Sequence, residues 1–213
     1  MKSLFLVLCF SLLLLGMPTF SSAIPIGRLE LGTANSSAES PNLGIVSISS
    51  KKTVVGLDRL GRAHLTLGIN VTNYGVAAES FNATFYMNST IISEIINVTV
   101  EGQNSTVVAF QGAITGFAYG NYSISASITP VLNETELSDN FIDNLWIFLT
   151  IMGDINGDKW VDIFDALIFR PDRGYADMYP WYIYHPNADL SDSGNIDIFD
   201  AILLANNFNK HWE

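Results

Sequence analysis

The chain has 213 residues, with 21 acidic side chains against 10 Lys and Arg and a formal net charge of −11. That balance excludes the basic surface that holds nucleic acid or an anionic membrane. The length allows one or two domains with a real core. Eleven of the acids fall between Asp154 and Glu213, opposed there only by Lys159, Arg170, Arg173 and Lys210. Such clustering suits a hard cation.

Residues 1–23 read as a secretory signal. Lys2 supplies a positive start, Leu4 to Gly16 an apolar run, and Ser21-Ser22-Ala23 a small-residue cleavage site. The run is shorter than the roughly 20 residues a membrane-spanning helix needs. Cys9, the one cysteine, lies inside it. The mature chain therefore has no disulfide, and its stability has to come from packing and bound metal. Export predicts a secreted, extracellular or cell-surface protein.

Residues 24–41 are small and polar without a clear period and read as a flexible lead-in. Residues 42–152 change to the grammar of strands. From Ala63 to Thr72 the odd positions are apolar and the even ones mostly polar. The same period of two recurs in Phe81 to Asn88, Ile96 to Val100 and Tyr122 to Ile128. Turn signals at Asn73-Tyr74-Gly75, Glu101 to Asn104 and Tyr119 to Asn121 separate the runs. About seven short strands at this spacing predict an antiparallel β-sandwich. Glycosylation sequons start at Asn35, Asn70, Asn82, Asn88, Asn97, Asn104, Asn121 and Asn133. Four of these, Asn70, Asn82, Asn88 and Asn97, share the polar phase of their strands, the face on which a glycan has room.

Residues 153–213 change again, to acidic loops alternating with short apolar helices. One twelve-residue pattern occurs twice, 35 residues apart: DINGDKWVDIFD from Asp154 and DLSDSGNIDIFD from Asp189. An EF-hand loop wraps calcium with side-chain oxygens at positions 1, 3 and 5, a carbonyl at 7, a ligand or water bridge at 9, and a carboxylate at 12. In the first copy these are Asp154, Asn156, Asp158, Trp160, Asp162 and Asp165; in the second, Asp189, Ser191, Ser193, Asn195, Asp197 and Asp200. Two calcium ions are expected. Lys159 stands where the sharp turn at position 6 favours the Gly194 of the second copy. The apolar position 8, Val161 and Ile196, is expected to pair the two loops and face the core. Each copy opens a short helix at position 10. No helical pattern precedes either loop, which distinguishes the unit from an ordinary calcium sensor.

On these repeats and their spacing, residues 153–212 resemble a type I dockerin, the module that plugs into cohesin domains. The resemblance implies a cohesin-type partner recognised through positions 10 and 11 of each loop, here Ile163, Phe164, Ile198 and Phe199. Arg170-Pro171 stands opposite Ala205-Asn206, a departure from the family's two-fold symmetry. The runs GINVTNYGVAAESFNATFYMN and GNYSISASITPVLNETELSDN resemble a CARDB domain, an Ig-like sandwich found beside dockerins in secreted archaeal proteins. The expected architecture is thus mainly β with a small α domain: an Ig-like sandwich followed by two calcium loop–helix repeats.

Catalytic patterns are missing. There is no Gly-x-Ser-x-Gly elbow, no His-Glu-x-x-His and no phosphate-cradling glycine loop. His64, His185 and His211 are scattered, and Glu79, Glu94 and Glu101 lie on a sandwich too small to offer much cleft. The chain reads as non-enzymatic. Two functions remain. One is a docking protein whose sandwich is a spacer or adhesion scaffold. The other is a carbohydrate-binding module, stacking sugars on Tyr74, Phe81, Tyr86, Tyr119 and Tyr122, tethered to a polysaccharide-degrading complex.

Overall fold

The computed structural model describes residues 40–169 and 185–213. The signal sequence, nearly all of the lead-in with its Asn35 sequon, and the segment 170–184 lie outside the described residues. Everything described belongs to one compact unit, residues 37–213.

Eight strands form the body: β1 (Leu43–Ser50), β2 (Val54–Leu57), β3 (Arg62–Asn73), β4 (Glu79–Met87), β5 (Thr90–Val100), β6 (Ser105–Thr115), β7 (Gly120–Ile128) and β8 (Phe141–Ile151). They make two sheets, one in the order β1-β3-β6 and one in the order β2-β8-β7-β4-β5. The alternation in β3 is realised residue by residue: Ala63, Leu65, Leu67, Ile69 and Val71 are buried. Phe81, Ala83, Phe85 and Met87 of β4 fill the opposite sheet's inner face, and the Phe85 and Phe110 rings meet across the sandwich at 6.3 Å.

Three expectations need correction. The sheets are antiparallel except for β2, which runs parallel to β8. Only three residues separate β1 from β2, and the chain uses them to cross between sheets rather than to make a hairpin. Secondly, this short strand raises the count to eight, and its lack of alternation hid it. Thirdly, Ile96 points outward. Pairing between β4 and β5 slips between Phe81/Val98 and Ala83/Ile95, and Asn97 takes a left-handed φ of 56°. A bulge of this kind inserts residues that face away from the regular phase.

The β5–β6 turn depends on one close approach. A Cβ on Gly102 would lie 2.2 Å from the Val76 carbonyl oxygen, so no other residue fits without moving backbone. Beside it, buried Asn73 closes the β3–β4 connection. Its amide nitrogen donates to the Ala77 and Val100 carbonyls, and its oxygen accepts from Gly75 N–H.

β8 leads into the C-terminal segment with almost no linker. Two helices follow, α1 (Ile163–Ile168) and α2 (Ile198–Ala205). They pack on a second, smaller core of Ile151, Ile155, Val161, Ala188, Leu190, Ile196 and Leu204. Ile151 is the last residue of β8, so the same strand ends one core and begins the next.

Candidate functional site

The two twelve-residue segments fold into the same loop. Each has left-handed backbone at positions 4 and 6: Gly157 and Lys159 in the first, Asp192 and Gly194 in the second. The curl turns main-chain N–H groups onto the first carboxylate. Asp154 Oδ1 accepts from Asp158 N–H at 3.2 Å and Oδ2 from Lys159 N–H at 2.9 Å. Asp189 does the same with Ser193 and Gly194, at 3.0 Å each. Position 12 closes the loop from the other end. Asp165 accepts from Ile155, Asn156 and Asp162 N–H, and Asp200 from Ser191 and Asp197 N–H. Both helices start at position 10 with a reciprocal capping box, Asp162 with Asp165 and Asp197 with Asp200.

Lys159 bears a φ of 79°, a conformation that costs a non-glycine residue roughly 1–2 kcal/mol. Its side chain has a compensating contact: Nζ sits 4.6 Å from the centre of the Trp212 ring.

All four carboxylates at positions 1 and 12 are buried: Asp154, Asp165, Asp189 and Asp200. Their electrostatics differ. Burial pushes the Asp154 carboxyl above the usual range, the neighbouring Asp165 charge adding to it. Burial also pushes Asp189 upward, but hydrogen bonding from Lys51, with the Lys51 and Lys52 charges, outweighs that and holds it below the usual range.

The remaining positions are arranged less tightly. Asp158 accepts from Trp160 N–H and the Asn156 amide, Asp162 caps α1 through Phe164 N–H, and Ser193 Oγ donates to the Asn195 carbonyl. Among the described residues, no three His, Cys, Asp or Glu side chains gather into a metal-holding group. Of the four carboxylates at ligand positions in the first loop, Asp154 and Asp165 are buried, and Asp158 and Asp162 are not. Val161 and Ile196 are both buried in the small core, but the expected loop-to-loop pairing is replaced. Val161 exchanges backbone hydrogen bonds with Asn209 and Lys210 instead. The C-terminal tail lies alongside the first loop, with Trp160 stacked on His211 at 4.1 Å.

The apolar residues after the loops divide cleanly. Ile163, Phe164, Ile198 and Phe199 are all at least 56% exposed. Leu167 and Ile202, at position 14 of each repeat, are exposed as well. Sequence reasoning did not single these two out. Their spacing from position 10 was the available signal, because residues i and i+4 share a helix face.

The sandwich offers a weaker surface. Phe81, one of five rings considered for sugar stacking, is 2% exposed and belongs to the core. Tyr86 and Tyr122 are half-buried, their hydroxyls bonded to Ser127 and the Ala118 carbonyl. Tyr74, Tyr119 and the unforeseen Trp146 are exposed. Of the sequon asparagines, Asn88, Asn97, Asn104, Asn121 and Asn133 are exposed, and Asn70 and Asn82 are half-buried. His64 and His211 are exposed and His185 is half-buried.

The seam between sandwich and loops is polar on one side and aromatic on the other. Trp212 lies 5.2 Å from Tyr119 and 5.8 Å from Phe148. Its Nε1–H donates to Thr150 Oγ1 at 2.9 Å, and the Thr150 hydroxyl donates to Asp154 Oδ2 at 2.5 Å. On the other side, Thr53 and Val54 N–H both donate to the Asn187 side-chain oxygen.

No family model matches the chain, and no curated protein matches it. Solved structures do. The crystal structure of the CARDB domain of a Pyrococcus furiosus protein, in complex with di-metal ions, matches at 22% identity and a TM-score of 0.43, covering 53% of this chain and 96% of that one. A solution structure of the same domain matches at 23% identity and 0.41, covering 52% and 96%. A domain of a putative cell surface protein from Methanosarcina acetivorans matches at 22% identity and 0.40, covering 52% and 92%.

Among the described residues no helix is long and apolar enough to cross a membrane.

Proposed function

We propose that this is a secreted, non-catalytic docking protein. Its two C-terminal loops bind calcium, and the helices behind them bind a cohesin-type protein domain. The sandwich, which we take to be CARDB-like, serves as spacer or adhesion scaffold. The observation that carries this reading is the matched exposure of six apolar side chains at positions 10, 11 and 14 of the two repeats. Exposed apolar side chains gathered behind a loop are a cost in water unless a partner covers them. A phenylalanine flanked by aliphatic residues is the kind of anchor that dominates binding energy.

The donor set fits calcium. Every side chain at the ligand positions offers oxygen, the carboxylates at positions 1 and 12 are buried, and the Asp154–Asp165 pair raises the cost of its own charge. Asp154, Asn156, Asp158, Asp162, Asp165 and the Trp160 carbonyl would hold one ion. Asp189, Ser191, Ser193, Asp197, Asp200 and the Asn195 carbonyl would hold the other. Bound calcium neutralises the loops and turns binding energy into folding energy. The chain's own residues do the rest: the capping boxes start the helices, and the small core fixes which face is presented.

The test is binding of the full chain to a panel of cohesin domains in calcium and in chelator. Binding is expected in calcium only. Phe164→Ala with Phe199→Ala should weaken it by about 100-fold and leave the melting temperature unchanged, because both rings are exposed. Binding that ignores calcium and both rings would sink the docking reading.

A further inference from the structure

The two loops share one backbone, yet the outer oxygen of the first carboxylate meets a different donor in each. In the first loop Asp154 Oδ2 accepts from Lys159 N–H and from the Thr150 hydroxyl. In the second, Asp189 Oδ2 accepts from Gly194 N–H and from Lys51 Nζ at 2.7 Å. A neutral hydroxyl and an ammonium thus occupy equivalent places. Lys52 adds to the asymmetry. It is 7% exposed, its Nζ donates to the Asp189 carbonyl, and it lies 2.5 Å from Asp192 Oδ1. Ser50 holds the turn that aims both lysines, donating to the Lys52 carbonyl and accepting from Lys52 N–H.

The charges around the two loops therefore differ. The second loop has four acids, Asp189, Asp192, Asp197 and Asp200, and receives two cations from the β1–β2 connection. The first also has four, Asp154, Asp158, Asp162 and Asp165, and among the described residues none of them makes an ion pair.

We propose that Lys51 and Lys52 act as a built-in cation for the second loop, holding it closed without metal and making it the weaker of two calcium sites. The inference rests on the calcium reading above. Its physics is like-charge repulsion. An ion in the second loop shares the Asp189 carboxylate with the Lys51 ammonium on its far side. Like charges that share one carboxylate repel, and with Lys51 Nζ already 2.7 Å from Asp189 Oδ2 the expected loss is about tenfold in affinity. Among the described residues the first loop has no such competitor, and it depends on the metal to relieve its paired carboxylates. The sandwich thereby sets the metal affinity of a loop 138 residues further along the chain.

The test is calorimetric calcium titration of the full chain, with thermal melts in chelator. Wild type should show two affinity classes, the tighter lost in Asp165→Ala and the weaker in Asp200→Ala. Lys51→Gln keeps a hydrogen-bond donor and removes the charge. It should tighten the weaker class about tenfold, leave the tighter class alone, and lower the melting temperature in chelator. Lys51→Arg should behave as wild type. Two ions of equal affinity, both indifferent to Lys51→Gln, would overturn this inference alone. A wild-type chain that takes up no calcium would overturn the reading beneath it as well.

Discussion

The two cores of this molecule are built on different principles. The sandwich buries aliphatic and aromatic side chains in facing sheets, with Phe85, Leu67, Ile69, Ile147 and Leu149 sealed from solvent. The C-terminal core has seven buried apolar residues and, pressed against them, four buried carboxylates whose partners are mostly main-chain amides. The first core is held by area removed from water. The second is too small for that and spends part of its interior on charge. It follows that the sandwich should be indifferent to divalent cations and that the loops should not.

Substitutions in each core break or sharpen this contrast. The largest effect belongs to the sandwich. Phe85→Ala should cost about 4 kcal/mol, by the same amount in calcium and in chelator, read as a shift of the denaturation midpoint. Next is Asp165→Ala, which strips the acceptor from the Ile155, Asn156 and Asp162 amides. It should cost about 3 kcal/mol in calcium and less in chelator. An equal penalty in both conditions would mean the carboxylate serves the backbone and not the ion.

The smallest effect tests pH. Burial pushes the Asp139 carboxyl upward, with Glu136 and Glu134 adding to it. A carboxyl raised by folding binds its proton more tightly in the native state. Stability is then greatest while the group is protonated, and falls as pH rises from the ordinary carboxylate value of 3.8 through the raised one. Asp139→Asn should remove this slope and raise the neutral-pH melting temperature by about 2 °C, with no gain at pH 3. A loss of stability at neutral pH would show that the Asp139 charge is used.

Much of this was legible from local pattern. The alternation of β3 fixed which side chains face the core, and the doubled loop motif fixed where both helices begin. Where the reading fell short, the cause was non-local. The Ile96–Asn97 bulge depends on how β5 registers against β4, which neither strand declares alone. Strand β2 has four residues and no alternation, and only its pairing with β8 defines it. Val161 was assigned to the wrong neighbour because the tail that pairs with it lies some fifty residues on in sequence. The lysines that hold Asp189 are an adjacent pair in a short connection, and nothing in their own surroundings points to a distant carboxylate.

One consequence of the β8 junction is mechanical. Strand β8 has hydrogen-bonded neighbours on both sides, β2 and β7, and passes into the first loop two residues after it ends. A pull applied at α1 is thus delivered along the axis of an interior strand. Load in that direction shears many ladder bonds at once, where an edge strand would be peeled bond by bond. The path from the exposed apolar face of α1 into the sandwich is therefore built to bear tension.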